Sequence, residues 1–442
     1  MHPRKLVATV VAAILVICAG MAGAASAIDI KEIRSPGGIQ AWLVEQHSIP
    51  LIAMSFSFQD GSASDPGDKP GLTYLLSGML DEGAGDLDSE AFRELRDRLS
   101  FRMSFESSAD TFGGSFQTLS ENRDPSFAAL KIALLKPRFD AAPLERVRGQ
   151  IILSIQDDEQ NPEAIAFDRW RQTVFAGHPY ARNSRGTIDG LRKASAEDLR
   201  ARAGALFTRD KLLITVVGDI DAETLGRLLD ETFGALPEKG SPGNIAKASV
   251  REGPLIEVIE RDIPQSIIQF GHAGIPRDDP DFITAYVMND ILGGSGFGSR
   301  LTDEIREKRG LTYSVYTQLL PLEQGGLFLG GAATRNERVG ETIELIRKEL
   351  KRFAEEGPTP QELADARTYI TGSYALRFTT STRIAGQLLG IQEENLGIDY
   401  IKRRNSLVEA VTLEDVKRVA KRLIDADGLV ITVVGKPEGI KF

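Results

Sequence analysis

Two uninterrupted apolar runs stand out in the hydropathy pattern of the chain. Leu212-Leu213-Ile214-Thr215-Val216-Val217-Gly218 and Leu429-Val430-Ile431-Thr432-Val433-Val434-Gly435 are rich in β-branched residues, which predicts a buried strand at each. Each run follows an acidic-started helical segment, Ala196-Glu197-Asp198-Leu199 in one case and Leu413-Glu414-Asp415-Val416 in the other. One offset of 217 residues separates Ile214 from Ile431 and Glu197 from Glu414, so no gap intervenes. Two matches at a single offset indicate a tandem duplication of about 210 residues.

Strand-like segments open each half. In the first, Ile39 to Val44 and Leu51 to Phe58 flank Glu45-Gln46-His47-Ser48, which predicts a hairpin. Ile256 to Glu260 and Ile267 to His272 take that part in the second. Helical periodicity follows over Gly71 to Asp81, Ser89 to Leu99 and Ser126 to Leu135, then over Asp281 to Leu292 and Val339 to Glu355. Strands and helices in mixed order, without regular βαβ alternation, predict an α+β fold for each half. The stretch Pro237 to Pro254 is polar and aperiodic, as a surface linker is. The expected domains are therefore residues 28–236 and 255–442, joined by 237–254.

The first 27 residues carry a different pattern. Arg4 and Lys5 precede an uncharged apolar run from Leu6 to Met21, and Ala25-Ser26-Ala27 supplies small residues for cleavage. This is the three-part signature of a secretory signal peptide, with an uncleaved anchor as the alternative. Cys18 follows Leu15-Val16-Ile17 and lacks the small residue that a lipidation signal places before its cysteine. Cleavage removes the only cysteine, leaves no stable membrane insertion and fits a bacterial periplasmic address. The formal charge of -10, with 53 basic against 63 acidic residues, argues against a nucleic-acid binder.

Residues 291–317 read ILGGSGFGSRLTDEIREKRGLTYSVYT. With VEQHSIPLIAMSFSFQDGSASDP near the start, GHPYARNSRGT, and the strands closing each half, the sequence resembles the pitrilysin/insulinase family of zinc metallopeptidases, in its two-domain bacterial and mitochondrial-processing-type members. The resemblance implies duplicated α+β domains forming half of a clam-shell chamber. It also implies zinc held by an inverted His-x-x-Glu-His on an N-terminal helix, with a Glu from a later helix. Aligning KPGLTYLLSGMLDEG places Tyr74, Ser77 and Gly78 in the three motif slots, and RVRGQIILSIQDDEQNP places Leu153 or Ser154 in the fourth. None can do the work of the residue it replaces. His47, His178 and His272 have no His at i+4 and no Cys partner, and Asp81-Glu82 reads as a solvated acidic pair. The chain is expected to bind no zinc of its own.

The C-terminal half differs. Taken alone, Arg306 reads as a solvated helix residue and Tyr313 as a core or sheet residue, with Gly310 breaking the helix between them. The resemblance implies instead that an Arg and a Tyr at this spacing grip the substrate backbone and stabilise the oxyanion, with Arg309 and Tyr316 as poorer matches. Gly293-Gly294-Ser295-Gly296-Phe297-Gly298 lacks the Gly-Lys-Ser/Thr ending of a phosphate loop. It reads as a hinge. The resemblance adds substrate contact by Gly293, Gly294 and Gly296, as in the non-catalytic subunit of the mitochondrial processing peptidase. The leading expectation is a non-metal subunit lending Arg306 and Tyr313 to a homologous zinc-binding partner that cleaves short or unfolded polypeptides. An inert structural subunit and a stand-alone peptide-binding protein are the alternatives.

Overall fold

The computed structural model describes residues 28–240, 245–294 and 298–440. The expected leader and Gly296 lie outside them. In the first half, β1 (Lys31–Arg34), β2 (Gln40–Glu45), β3 (Leu51–Phe58), β4 (Arg102–Ser107), β5 (Phe112–Leu119) and β6 (Leu212–Gly218) form one sheet in the order β1-β2-β6-β3-β5-β4. In the second, β7 (Leu255–Glu260), β8 (Gln265–Ala273), β9 (Thr312–Leu322), β10 (Gly325–Arg335) and β11 (Val430–Gly435) form another, ordered β7-β11-β8-β10-β9. The α+β reading holds for both halves. The hairpin reading does not. β6 is inserted between β2 and β3, parallel to the first and antiparallel to the second, and β11 is inserted in the same way between β7 and β8. A run that is apolar apart from one threonine is accommodated only where both its faces and both its edges are covered.

The helices of the first half are α1 (Leu72–Ser77), α2 (Ser89–Leu99), α3 (Arg123–Leu135), α4 (Ala141–Asp158), α5 (Pro162–Val174), α6 (Ile188–Lys193), α7 (Ala196–Leu206) and α8 (Ala222–Phe233). Those of the second are α9 (Phe282–Gly293), α10 (Val339–Glu356), α11 (Pro360–Tyr374), α12 (Ser381–Glu393), α13 (Tyr400–Glu409) and α14 (Leu413–Leu423). The acidic-started helices of the repeat are α7 and α14. Each begins with a reciprocal capping box, Ser195 with Asp198 and Thr412 with Asp415. Gly218 and Gly435, at φ +149° and +148°, close the strands that follow. A Cβ on Gly218 would lie 2.1 Å from the Leu51 carbonyl oxygen, so only glycine fits.

The period-two alternation of β6 and β11 decides which face meets what. Ile214 and Val216 join the core of their own half with Phe56, Phe58, Phe112 and Phe233. Val217 joins Val44 and, from the other half, Ile384, Ala385 and Leu388 of α12. On β11, Ile431 and Val433 enter their own core with Phe270, Phe328 and Phe353. Val430 packs with Trp170 and Val174 of α5. Each half thus covers the outer face of the other's sheet with one helix. Trp170 Nε1 donates to the Val430 carbonyl at 2.9 Å, and Thr215 Oγ1 donates to the Ala385 carbonyl at 2.7 Å. At the rim, Asp110 accepts from Tyr180 Oη and from the Glu323 amide, while the Gln324 amide donates to Tyr180 Oη at 3.0 Å.

His272 lies next to the end of β8, where the sequence places it. Its Nδ1–H donates to the Ala273 carbonyl at 2.7 Å, and Nε2 accepts the Asp425 amide at 3.2 Å. Only the neutral ring satisfies both. Burial holds its pKa below the ordinary 6.5.

Two outcomes follow from this packing. Trp170→Phe keeps an aromatic but removes this buried hydrogen bond and leaves part of the indole's space unfilled, and is expected to cost about 1–3 kcal/mol in denaturant unfolding. The unfolded chain takes up a proton at His272 near pH 6.5 that the folded chain resists. The resulting stability is complete above that pH and declines as pH falls below it. Between pH 7.5 and 5.5 the unfolding midpoint of the parent chain is therefore expected to fall further than that of His272→Gln. Equal falls would contradict this assignment.

Candidate functional site

The residues implicated by the sequence occupy two places, one in each half. In the N-terminal half, α1 is anchored at its start by a buried ionic cluster. Arg202 on α7 forks onto both carboxylate oxygens of Asp60 at 3.1 Å and donates to Thr73 Oγ1 at 2.7 Å. Asp65 accepts the amides of Gly71 at 2.9 Å and Thr73 at 3.1 Å, filling the role of a cap. The helix is shorter than its periodicity predicts and ends at Ser77, with Gly78 as its C-cap. Beyond it Asp81 and Glu82 are not free in solvent, contrary to expectation. Asp81 pairs with Arg96 while burial raises its pKa, and Glu82 accepts from Ser89 at 2.6 Å and pairs with Arg146.

The four slots implied for metal ligands do not fit a zinc ion. Ser77 Oγ donates to the Tyr74 carbonyl at 2.7 Å, and Gly78 has no side chain, a Cβ there coming within 2.9 Å of Val147 Cγ1. Of the two candidates on α4, Leu153 is 62% exposed, and Ser154 Oγ accepts from Arg185 Nη1 at 3.1 Å. Tyr74 lines a cavity of about 300 Å³ together with Asp158, Asp168, Arg171, Asn183 and Arg185. His47 sits in a turn against Asp219 at 2.7 Å, and His178 Nε2 meets the Ala246 carbonyl at 2.9 Å. Among the described residues no group of three or more His, Cys, Asp or Glu side chains is placed to hold a metal.

In the C-terminal half, Arg306 and Tyr313 come together. Arg306 lies on a π-helical turn, Thr302–Glu307, a geometry frequent at functional sites. Gly310, at φ +59°, ends this segment, and β9 begins two residues later. The Arg306 guanidinium carbon stands 5.2 Å from the Tyr313 ring centre, a cation–π contact, while the Tyr313 side chain is 81% exposed. The π-helical turn is pinned by Glu304, which accepts from Lys308 at 2.9 Å and Arg309 at 2.8 Å and lies near Arg352. The Lys308 and Arg309 bonds hold the Glu304 carboxyl down at about 2. Arg309 is thereby committed to structure, and the Tyr316 ring lies against Gly331. Sequence reasoning did not single out Glu304 or Arg185, whose importance is visible only through their partners.

Gly293 and Gly294, which open the run read as a hinge, are closely packed, while a Cβ on Gly298 would meet nothing. Gly293 is the last residue of α9, and a Cβ on it would come 2.4 Å from Thr317 Oγ1. A Cβ on Gly294 would come 2.6 Å from Asp290 Cα. Burial pushes the neighbouring Asp290 carboxyl up to about 6. Gly296 lies outside the described residues. Among those residues, no helix is long and apolar enough to cross a membrane.

Two family models match the chain in tandem. "Insulinase (Peptidase family M16)" covers residues 43–188, and "Peptidase M16 inactive domain" covers residues 193–370. The chain is 25% identical to the "Non-peptidase homolog YmxG" of Helicobacter pylori, over 93% of this chain and 94% of that protein. The crystal structure of a peptidase M16 inactive domain from Pseudomonas fluorescens superposes with a TM-score of 0.87 at 28% identity, covering 93% of this chain and 99% of that one. The periplasmic protease PqqL from Escherichia coli shares the fold, with a TM-score of 0.80 at 16% identity over 93% of this chain and 46% of its own. Sequence motifs, the duplicated fold and these matches agree that the chain belongs to the insulinase (M16) family of metallopeptidases.

Proposed function

We propose that this protein is the non-metal subunit of a periplasmic endopeptidase. A homologous partner carries the zinc, and this chain contributes Arg306 and Tyr313 to the composite site. The observation that carries the reading is an asymmetry. The ligand slots of the first half hold Tyr74, Ser77, Gly78 and Ser154, while Arg306 and the exposed Tyr313 stand paired on a braced turn in the second. The PqqL comparison supports the need for a second half, because this fold covers under half of that chain. The leader-like residues 1–27 support the periplasmic address.

The chemistry assigned to this chain is recognition and charge stabilisation. The Arg306 guanidinium and the Tyr313 hydroxyl are donors, and both suit a substrate carbonyl oxygen that becomes negative as water adds to its carbon. An extended peptide lying along this face, near Gly293 and Gly294, would present such a carbonyl. The partner's zinc centre would supply the activated water. Substrates would be short or unfolded polypeptides able to enter the chamber that the two subunits enclose.

The test is co-purification with a homologue bearing an intact His-x-x-Glu-His, followed by peptide cleavage kinetics. Arg306→Ala combined with Tyr313→Phe is expected to lower kcat/KM by about 10²- to 10³-fold without loss of the complex. Undiminished turnover would favour an inert structural subunit instead.

A further inference from the structure

The cavity lined by Tyr74 and Asp158 holds a cation supplied by the chain itself. Arg185 Nη1 donates to Ser154 Oγ at 3.1 Å and pairs with Asp158, one helical turn further along α4. The backbone of the same residue lies against the start of α1. A Cβ on Gly71, the residue preceding that helix, would come 2.4 Å from the Arg185 carbonyl oxygen. A Cβ on Gly186 would come 2.0 Å from the carbonyl oxygen of Pro70. The loop is also tied to α5, because the Arg185 amide donates to Asn183 Oδ1 at 3.0 Å and Asn183 Nδ2 donates to Asp168 at 2.8 Å. Asp168 in turn accepts from Arg171 at 2.8 Å.

We infer that Arg185 is a tethered substitute for the metal, placing a fixed positive charge on α4 from a loop whose backbone packs against the start of α1. These are the two helices from which the family resemblance draws the zinc ligands. A metal would join them through side chains on both. Arg185 joins them with its backbone on one and its guanidinium on the other. Around the cavity, Asp158 balances Arg185 and Asp168 balances Arg171, so the site is charge-matched without an added ion. The loss of the ligands and the presence of the arginine form one coherent arrangement. Replacing the ligands alone would place a divalent cation beside a fixed guanidinium, whose repulsion lowers affinity by on the order of a hundredfold or more. This inference does not depend on whether the chain serves a catalytic partner.

The test uses the full chain. In Arg185→Met, hydrogen exchange read by mass spectrometry is expected to quicken about tenfold in both 72–78 and 151–158, as the loss of a charged hydrogen bond would produce, with 265–273 unchanged. Arg185→Lys is expected to lie between the two. Unchanged exchange in α1 and α4 would overturn the bridge. A second measurement addresses the metal. In a chain carrying Tyr74→His, Ser77→Glu, Gly78→His and Ser154→Glu, adding Arg185→Met is expected to tighten zinc binding at least about a hundredfold, read by competition with a chromophoric chelator. Equal affinity with and without Arg185 would overturn the substitution for metal. If the four-ligand chain does not fold, the exchange experiment alone decides.

Discussion

The mutual covering of the two sheets is the constraint on which the rest of the molecule depends. Each sheet has a central strand that is apolar on both faces, and the helices of its own half cover only one of them. The other face needs a helix, and in each case the opposite half provides it, α5 on β11 and α12 on β6. The buried Trp170 indole and Thr215 hydroxyl convert this apolar contact into a defined register, because each must meet one particular carbonyl. An interface made this way behaves as an interior and holds the halves in a fixed relation.

That fixed relation also sets where the two candidate regions, one in each half, stand. α4 and α5 are consecutive, so the helix carrying the old fourth ligand slot runs directly into the helix that grips the second sheet. The Arg306 turn is braced separately, by the Glu304 ion cluster, and Tyr313 is the second residue of the edge strand of that sheet. The slots of the first half hold a tyrosine, two serines and a glycine, and in the second half Arg306 and Tyr313 stand together beside the Glu304 brace.

The sequence revealed the fold through features that are local or repeated. The α7/β6 and α14/β11 units were visible because capping residues, a buried run and a terminal glycine recur at one offset. The absent ligands were visible because a motif has fixed spacing. Strand order was not visible. Pairing β2 with β6 joins Trp42 to Thr215, and no local pattern announces a partner so distant in sequence. The early end of α1 was hidden because the residues beyond Gly78 keep a helical apolar period while Asp81 and Glu82 are held by Arg96 and Arg146 on other elements. Arg185 looked like one more surface arginine in a polar loop. Its role depends on Asp158, which only the folded chain brings to it.

The exchange of covering helices also sets an order of events during synthesis. The hydroxyl of Thr215 waits for the carbonyl of Ala385, 170 residues later, before the outer face of the first sheet is closed. At roughly 5–20 residues per second, that delay is on the order of 10 to 30 s. Through that interval Val44 and Val217 lack the cover of Ile384, Ala385 and Leu388, and the first half cannot complete its packing while the chain is still emerging. A polypeptide built like this completes the packing of its first sheet only when it is nearly whole.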